Sequence, residues 1–327
     1  MKLGILVVYL LSDRNERLLA IHLEQIRRHT DVPYTIYGAA VRLSPQLVDA
    51  LRRNPNVKLC PCDPYEDKNP RLRRYEHSWY LEQLIRFALD DGSTHMVILH
   101  VDSFPVRDGW AQELAARLTD QCVLAAILRD ETSDRTPMSA CIFFPREFYL
   151  TYQPRLLLTA EAAGSVDYAR YRRQSPHGGD SGAGYGFSVY QHGRSWYPLT
   201  RSNKGSEHEL FGSIYGDMIF HLHSAMQMEN SPEAIYRRRP VDTTSRVRSV
   251  VGAAARAVLG RGRYAWLKER LPRRIREPAM YRVPEKDPER EAFERQRHEL
   301  LENTEAYLHY LRTGRRAPSR NVRGSRL

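Results

Sequence analysis

From residue 3 to residue 144 the sequence alternates between short apolar runs and segments with helical periodicity. Residues 3–10 are continuously apolar and β-branched, and residues 16–29 repeat apolar positions at helical spacing. Further strands are predicted at 34–37, 57–59, 95–100, 123–128 and 140–144, and further helices at 45–53, 77–89, 109–118 and 182–192. This order predicts an α/β domain with a mostly parallel sheet.

Two features bear on the cellular compartment. The apolar run at the start is only about ten residues long and no small-residue cleavage site follows it, so a buried first strand is favoured over a signal peptide. The four cysteines are too few for a disulfide framework, and Cys60-Pro61-Cys62 lacks a second pair for zinc. We expect a reducing, cytoplasmic location.

The positive charge is concentrated in the last quarter of the chain. The net charge is +11, and residues 241–327 hold 21 Lys/Arg against 11 Asp/Glu. A near-neutral body with a basic tail favours attachment to a surface over nucleic-acid binding. We therefore predict a main domain at 1–232 and a basic helical extension at 233–327 with a disordered C-terminus.

The most basic part of the tail is residues 246–276, with ten Lys/Arg and one acidic residue. Apolar residues recur there at helical spacing, so this segment is predicted to be an amphipathic helix. It would either lie on an anionic membrane surface, which makes the protein peripheral on the inner face, or pack on the main domain with its basic face in solvent. A mixed-charge helix is predicted at 288–311.

The strongest functional signal follows the apolar strand at 95–100. His100 and Asp102 stand two positions apart, so their side chains are predicted to share a face at the carboxyl end of the strand. Ligands of open α/β sheets bind at that edge. An Asp there can hold Mg²⁺ or Mn²⁺ against a diphosphate, and an imidazole can join it. The alternative is a strand that ends in a polar turn.

The sequence that follows, with Phe104-Pro105 and then Gly109-Trp110, resembles the GT-A glycosyltransferases of the family-2 type. Such enzymes carry an Asp-x-Asp motif at a strand end, and the resemblance covers roughly residues 2–230. It implies a GT-A fold, which is a Rossmann-like, mostly parallel mixed sheet flanked by helices, and it implies a nucleotide-sugar donor. It also implies that Asp102 is the second, metal-binding Asp of the motif, with Ser103 beside it. His100 stands where the family has the first Asp.

The same resemblance implies further donor contacts. Val8 and Tyr9 lie where such enzymes hold the nucleobase, but the second strand lacks the Asp that commonly reads the base. His77 lies at the start of a helix that would line the donor site, where it would contact a phosphate or act as a core-facing polar cap.

A glycine-rich segment, residues 177–186, precedes the predicted helix at 182–192. Gly178 and Gly179 let the backbone approach a ligand closely, and the run has no Gly-Lys-Ser/Thr of a P-loop. The resemblance implies that Asp180 is the catalytic base that deprotonates the acceptor hydroxyl. Asp180 is also placed to be the N-cap of the helix, and the two roles are compatible.

Two histidines, His221 and His223, lie on a strand predicted at 216–223, where Asp217 is interpreted as a turn residue. Their spacing places them on one face. Because the resembling enzymes return one late histidine to the cation, either one would complete a metal site with Asp102.

Together these features predict a hexosyltransferase-like glycosyltransferase that uses a nucleotide-diphospho-sugar donor. The reaction would be a metal-assisted displacement that inverts the anomeric carbon, with retention left open. The aromatic and Arg-rich stretch at 149–175, predicted to be irregular, suggests a glycan or lipid-linked acceptor, as in polysaccharide biosynthesis. The alternatives are a non-catalytic sugar-nucleotide or glycan binding protein, and a membrane-attached scaffold.

Overall fold

The computed structural model describes residues 1–66, 73–131, 134–176, 181–208, 211–223 and 288–316. The chain divides into one unit formed by residues 1–223 and 295–327 and a second unit formed by residues 224–294. The central sheet lies in the first unit. The amphipathic segment predicted at 246–276 and residues 177–180 of the glycine-rich segment lie outside the described residues.

Two sheets are built from the strands of the first unit. The strands are β1 (Leu3–Tyr9), β2 (Tyr34–Ala40), β3 (Val57–Leu59), β4 (His95–Leu99), β5 (Ser103–Pro105), β6 (Cys122–Ile127), β7 (Met138–Pro145), β8 (Ser195–Leu199), β9 (Ser213–Tyr215) and β10 (Ile219–His221). The large sheet has the order β3-β2-β1-β4-β7-β6-β8, and the small sheet has the order β5-β10-β9. In the large sheet β7 is antiparallel to β4 and β6, and the other pairs are parallel.

The described helices are α1 (Glu16–His29), α2 (Pro45–Arg52), α3 (Arg73–Asp90), α4 (Trp110–Ala116), α5 (Arg146–Tyr152), α6 (Ala160–Gly164), α7 (Val166–Gln174), α8 (Ala183–Gln191), α9 (Pro288–Glu302) and α10 (Thr304–Thr313). Helices flank both faces of the large sheet, as α3 and α4 show. Leu84 of α3 and Phe144 of β7 belong to one buried cluster. Trp110 of α4 packs on Phe143, with ring centroids 6.3 Å apart. Because neighbouring residues of a strand face opposite sides, the two helices lie on opposite faces, which confirms the predicted fold class.

The central position of β1 explains its continuous apolar run. All seven residues of the strand are buried, as expected for a parallel strand covered by helices on both sides. The neighbouring strand provides the space that the Tyr9 ring needs. A Cβ at Gly38 would lie 2.9 Å from Cε2 of Tyr9, so glycine is required at that position of β2.

The strand directions bring three chain segments to one edge of the sheet. β4 is parallel to β1, and β6 is parallel to β4 because both are antiparallel to β7. The residues that follow β1, β4 and β6 therefore all lie at the carboxyl edge. This is the edge at which ligands of open α/β sheets bind.

The single strand predicted at 216–223 is wrong in its extent. A turn comes first, since Gly216 and Asp217 have positive φ angles of 57° and 59° and Met218 N–H donates to the Tyr215 carbonyl at 3.0 Å. This turn joins β9 to β10, and it confirms Asp217 as a turn residue. β10 ends at His221, and His223 has left the strand with a φ of 68°.

The irregular stretch predicted at 149–175 contains helices α5, α6 and α7. The Ser165 hydroxyl accepts a hydrogen bond from Tyr168 N–H and so caps the start of α7. Tyr168 and Tyr171 are buried and pack on Phe187 of α8. These two tyrosines therefore form a small core with Phe187, which the sequence pattern does not reveal because the helices are short.

The mixed-charge helix predicted at 288–311 is interrupted at Asn303, so it forms α9 and α10. Helix α10 packs on the first unit: the Leu311 carbonyl accepts from Lys204 N–H at 2.8 Å and from Gly205 N–H at 3.1 Å. The Glu305 carboxylate accepts from Gln25 at 2.9 Å.

The predicted boundary after residue 232 lies outside the described residues. Within the described ranges, no helix combines the length and the apolarity needed to cross a bilayer.

Helix α1 carries a fully buried histidine, His22. Its Nδ1 lies 3.1 Å from the carbonyl oxygen of Ser103, so Nδ1 carries the proton. Burial lowers the pKa of His22 to about 4, and the Ser103 hydrogen bond and the Asp102 charge only partly offset this. His22 is therefore neutral in the folded protein at neutral pH.

We predict that His22 makes the free energy of unfolding depend on pH. Because the pKa of His22 is about 4 when folded and about 6.5 when exposed, the unfolded chain takes up the proton first as the pH falls. Stability should therefore fall below pH 6.5, by about 2 kcal/mol between pH 8 and pH 5. In His22→Asn the side-chain amide can still donate to the Ser103 carbonyl. Because an amide does not titrate, the fall in stability that is due to His22 should be absent from this variant. Urea unfolding of the wild type and of His22→Asn at pH 8 and pH 5 measures the free energies of unfolding. Equal decreases in the two proteins would contradict the prediction.

Candidate metal centre

The candidate centre begins at the carboxyl end of β4, where the chain turns into β5. Ser103 N–H donates to the His100 carbonyl at 3.0 Å and closes the turn. The side chain of His100 is 27% exposed and that of Asp102 is 7% exposed. The apolar strand thus delivers one partly exposed imidazole and one buried carboxyl group to the ligand-binding edge.

Strand β10 brings a third polar side chain to the same place. It pairs antiparallel with β5, with His221 opposite Ser103, and Leu222 N–H donates to the Asp102 carbonyl at 3.0 Å. His221 Nε2 lies 3.5 Å from Asp102 Oδ1, and His100 Nδ1 lies 4.0 Å from the same oxygen. One ligand atom from each of the three residues lies within 4.8 Å of the other two.

The chemistry of this group fits a divalent transition metal. Two imidazoles and one carboxylate are ligands that such ions accept, and imidazole must be neutral to bind a metal. Burial, followed by the nearby His77, lowers the pKa of His100 well below its usual range, and Asp102 opposes this only in part. His221 is also buried, and its Nδ1 has no hydrogen-bond partner among the described residues.

The second nitrogen of His100 is held by Ser139 on β7. His100 Nε2 and Ser139 Oγ are 3.0 Å apart, and Ser139 is buried. This contact directs Nδ1 towards Asp102. Metal-binding histidines usually have such a partner on the other ring nitrogen, which fixes both the tautomer and the ring orientation.

Helix α3 forms the next wall of the site. The ring of His77 meets the ring of His100 edge to face, with centroids 5.1 Å apart. The next residue, Ser78, is buried and its Oγ lies 3.3 Å from Oγ of Ser181. Residues 177–180, which include Gly178, Gly179 and Asp180, lie outside the described residues. Ser181, which follows Asp180 in the chain, is thus hydrogen-bonded to Ser78, which follows His77.

Three predicted contacts lie deeper in the protein. Val8 and Tyr9 are buried in β1, so their side chains belong to the core beneath the carboxyl edge. Ser103 is fully buried and its hydroxyl has no hydrogen-bond partner within the described part of the chain. Its contacts with His100 and His22 are made by the backbone.

His223, the second late histidine, lies outside the group of His100, Asp102 and His221. Because His223 lies beyond the end of β10 with a positive φ, the alternation that would place it on one strand face with His221 does not apply. His223 Nε2 lies 2.8 Å from the hydroxyl oxygen of Tyr215. Burial, followed by the nearby His221 and Arg129, lowers the pKa of His223 well below its usual range.

Sequence reasoning misses three residues beside the centre: Ser139, Tyr215 and Glu131. Glu131 follows β6, and its carboxylate accepts a hydrogen bond from the Tyr215 hydroxyl. Each of the three reaches the histidines from a different strand or loop. No spacing pattern links them to His100 or His223, so only the folded chain brings them into contact.

We predict that Ser139→Ala weakens metal binding by about 10-fold or more, because the His100 ring loses the partner that orients it. Isothermal titration with Mn²⁺ measures the change. Ser93→Ala is the matched control: it removes a buried hydroxyl before the start of β4, at the opposite end of the strand. Equal affinities of Ser139→Ala and the wild type would show that Ser139 has no such role.

Comparisons with known proteins add the following. No protein-family model matches this chain, and no curated protein matches it. The mannosyltransferase PcManGT from Pyrobaculum calidifontis, solved with GDP-Man and Mn²⁺, is 11% identical, with 95% of this chain and 83% of that chain covered and a TM-score of 0.40. Mouse xyloside xylosyltransferase 1 is 10% identical, with 61% and 85% covered and a TM-score of 0.36. The glycosyltransferase GlyE of Streptococcus pneumoniae is 10% identical, with 61% and 45% covered and a TM-score of 0.35. These three structures are of glycosyltransferases.

Proposed function

We propose that this protein is a glycosyltransferase that moves a sugar from a nucleotide-diphospho-sugar to a hydroxyl group. The observation that supports this most is the cluster of His100, Asp102 and His221 at the carboxyl edge of a mostly parallel sheet. Ligands of open α/β sheets bind at this edge, and a diphosphate needs concentrated positive charge. The position and the chemistry of the cluster agree with the resemblance to GT-A glycosyltransferases in the sequence around Asp102.

The three side chains would hold a divalent cation, Asp102 as the anionic ligand and the two imidazoles as neutral ligands. When bound, such an ion supplies positive charge that stabilises the developing negative charge of a leaving diphosphate. Mg²⁺ prefers oxygen ligands, whereas imidazole suits transition metals. Of the two ions expected from the sequence, Mn²⁺ therefore fits this site better than Mg²⁺.

The chain's own groups would carry the remaining steps. Asp180 takes the proton of the acceptor hydroxyl while the acceptor oxygen forms a bond to the anomeric carbon. The bond from that carbon to the phosphate oxygen breaks, and the nucleoside diphosphate leaves with the electron pair. A single displacement of this kind inverts the configuration. A general base contributes about 10²–10⁴-fold in rate.

Other residues would contact the donor. His77, beside His100, is placed to donate to a phosphate oxygen. The backbone at Gly178 and Gly179 would approach the donor closely, because glycine has no Cβ. Val8 and Tyr9 would form the buried floor of the nucleobase site.

A glycan or a lipid-linked sugar polymer is the acceptor class that we propose. Arg170 of α7 supports it, because an exposed guanidinium group binds carboxylates and phosphates. Its partner at 3.2 Å, Asp167, is equally exposed, so this surface pair is weak and an anionic acceptor can displace it. The basic segment at 246–276 would attach the enzyme to an anionic membrane that carries such an acceptor.

A non-catalytic binding protein for sugar nucleotides is the second candidate. The observation that favours it is His100, a neutral imidazole where the resembling enzymes have an acid. Such a protein would bind the nucleotide without transferring the sugar. The two candidates therefore differ in turnover and not in affinity.

We predict that a nucleotide-sugar raises the unfolding temperature of the full chain in Mn²⁺, less in Mg²⁺, and not in EDTA. A thermal-shift screen of UDP-, GDP- and dTDP-sugars measures this. Asp102→Asn should abolish the ligand-induced shift because the anionic metal ligand is lost. Asp180→Asn should keep the shift but slow transfer by about 10²–10⁴-fold, as measured by release of the nucleoside diphosphate.

Asp217→Asn is the matched control, since residue 217 lies in the β9–β10 turn at a positive φ that Asn adopts readily. It should behave as the wild type in both assays. A shift that is independent of metal, or one that survives in Asp102→Asn, would contradict the proposed metal site. Binding without turnover in the wild type would favour the non-catalytic alternative.

A further inference from the structure

The two histidines of the candidate centre differ in how their rings are held. His100 is anchored by a hydrogen bond from Nε2 to Ser139. His221 is buried, and its Nδ1 has no hydrogen-bond partner among the described residues. Since metal-binding histidines are usually oriented through the second nitrogen, the orientation of His221 must come from the groups that its ring packs against.

The nearest ring to His221 is that of His223. Their centroids are 4.1 Å apart with an interplanar angle of 39°, whereas the centroids of His221 and His100 are 5.6 Å apart. His223 has a φ of 68°, a conformation that is costly for residues other than glycine and that surrounding contacts must stabilise. His223 can therefore fix His221 only if it is itself held firmly.

A buried hydrogen-bonded chain holds His223. Its Nε2 lies 2.8 Å from the hydroxyl oxygen of Tyr215, and Tyr215 is fully buried in β9. The same hydroxyl donates to Oε1 of Glu131. A phenol has one proton, so when it donates to the carboxylate it must accept from His223. The order of the chain is therefore His223 to Tyr215 to Glu131.

We propose that Tyr215 and Glu131 are positioning residues of the metal centre. They hold His223 so that its ring fixes the ring of His221, with Nε2 directed at Asp102. The inference rests on the metal site of the proposed function. It assigns a role to His223, which lies outside the group of His100, Asp102 and His221, and to two further residues, Tyr215 and Glu131, that also lie outside it.

The test is the affinity of the full-length protein for Mn²⁺ alone, measured by isothermal titration. Tyr215→Phe keeps the ring and removes the hydroxyl, and it should weaken Mn²⁺ binding by about 10-fold. Tyr185→Phe is the matched control, because Tyr185 is also fully buried and its hydroxyl has no hydrogen-bond partner within the described ranges. It should bind Mn²⁺ as the wild type does.

Two further variants separate positioning from direct ligation. His223→Phe keeps a ring beside His221 but loses the hydrogen bond to Tyr215, so its effect should equal that of Tyr215→Phe. The double variant should lose no more than either single variant, because both remove the same hydrogen bond. Glu131→Gln keeps an acceptor oxygen and should stay near the wild type, and Glu131→Ala should weaken binding as Tyr215→Phe does, even if the tyrosine variant fails to fold.

Wild-type affinity in Tyr215→Phe and Glu131→Ala would overturn the positioning role while leaving the metal centre intact. A far larger loss in His223→Phe than in Tyr215→Phe would also overturn it, because His223 would then be a ligand itself. Absence of Mn²⁺ binding by the wild type would overturn the metal centre together with this inference, which distinguishes failure of the proposed function from failure of the positioning role alone.

Discussion

The pairing of β10 with β5 is the contact on which the candidate metal centre depends. Asp102 and His221 are far apart in the sequence, and they meet because His221 lies opposite Ser103 and Leu222 N–H donates to the Asp102 carbonyl. A shift of one residue in this register would turn the His221 side chain to the other face of the strand. The turn between β4 of the large sheet and β5 of the small sheet supplies His100 and Asp102, and β10 of the small sheet completes the group.

Packing behind the small sheet keeps this register in place. Phe104 of β5 stacks on Phe220 of β10 with centroids 4.9 Å apart, and the Tyr307 ring of α10 meets Phe220 edge to face. On the side of α1, His22 donates to the Ser103 carbonyl. Helix α10 is thus part of the scaffold of the site. The same burial lowers the pKa values of His22, His100 and His223, because a charged form is costly away from water.

The sequence predicts the sheet and names the three residues of the candidate centre, but it leaves His221 and His223 as alternatives. Apolar strands and helices have local periodicities, so the fold class follows from them, and His100 and Asp102 share one strand end. The choice between His221 and His223 depends on the turn at Gly216 and Asp217 and on where β10 ends. Those features arise from pairing with β5, which no local pattern encodes. The short helices at 149–175 and the contacts of Ser139, Tyr215 and Glu131 escape prediction for the same reason.

The proposed function depends on the binding of a divalent cation by His100, Asp102 and His221. A crystal structure of the full-length protein with Mn²⁺, with the metal located by anomalous scattering, would show this binding. We expect one strong peak at the carboxyl edge of the sheet, within coordination distance of Asp102 Oδ1, His221 Nε2 and His100 Nδ1. A peak bound by His223 in place of His221, or no peak at this edge at saturating Mn²⁺, would contradict it.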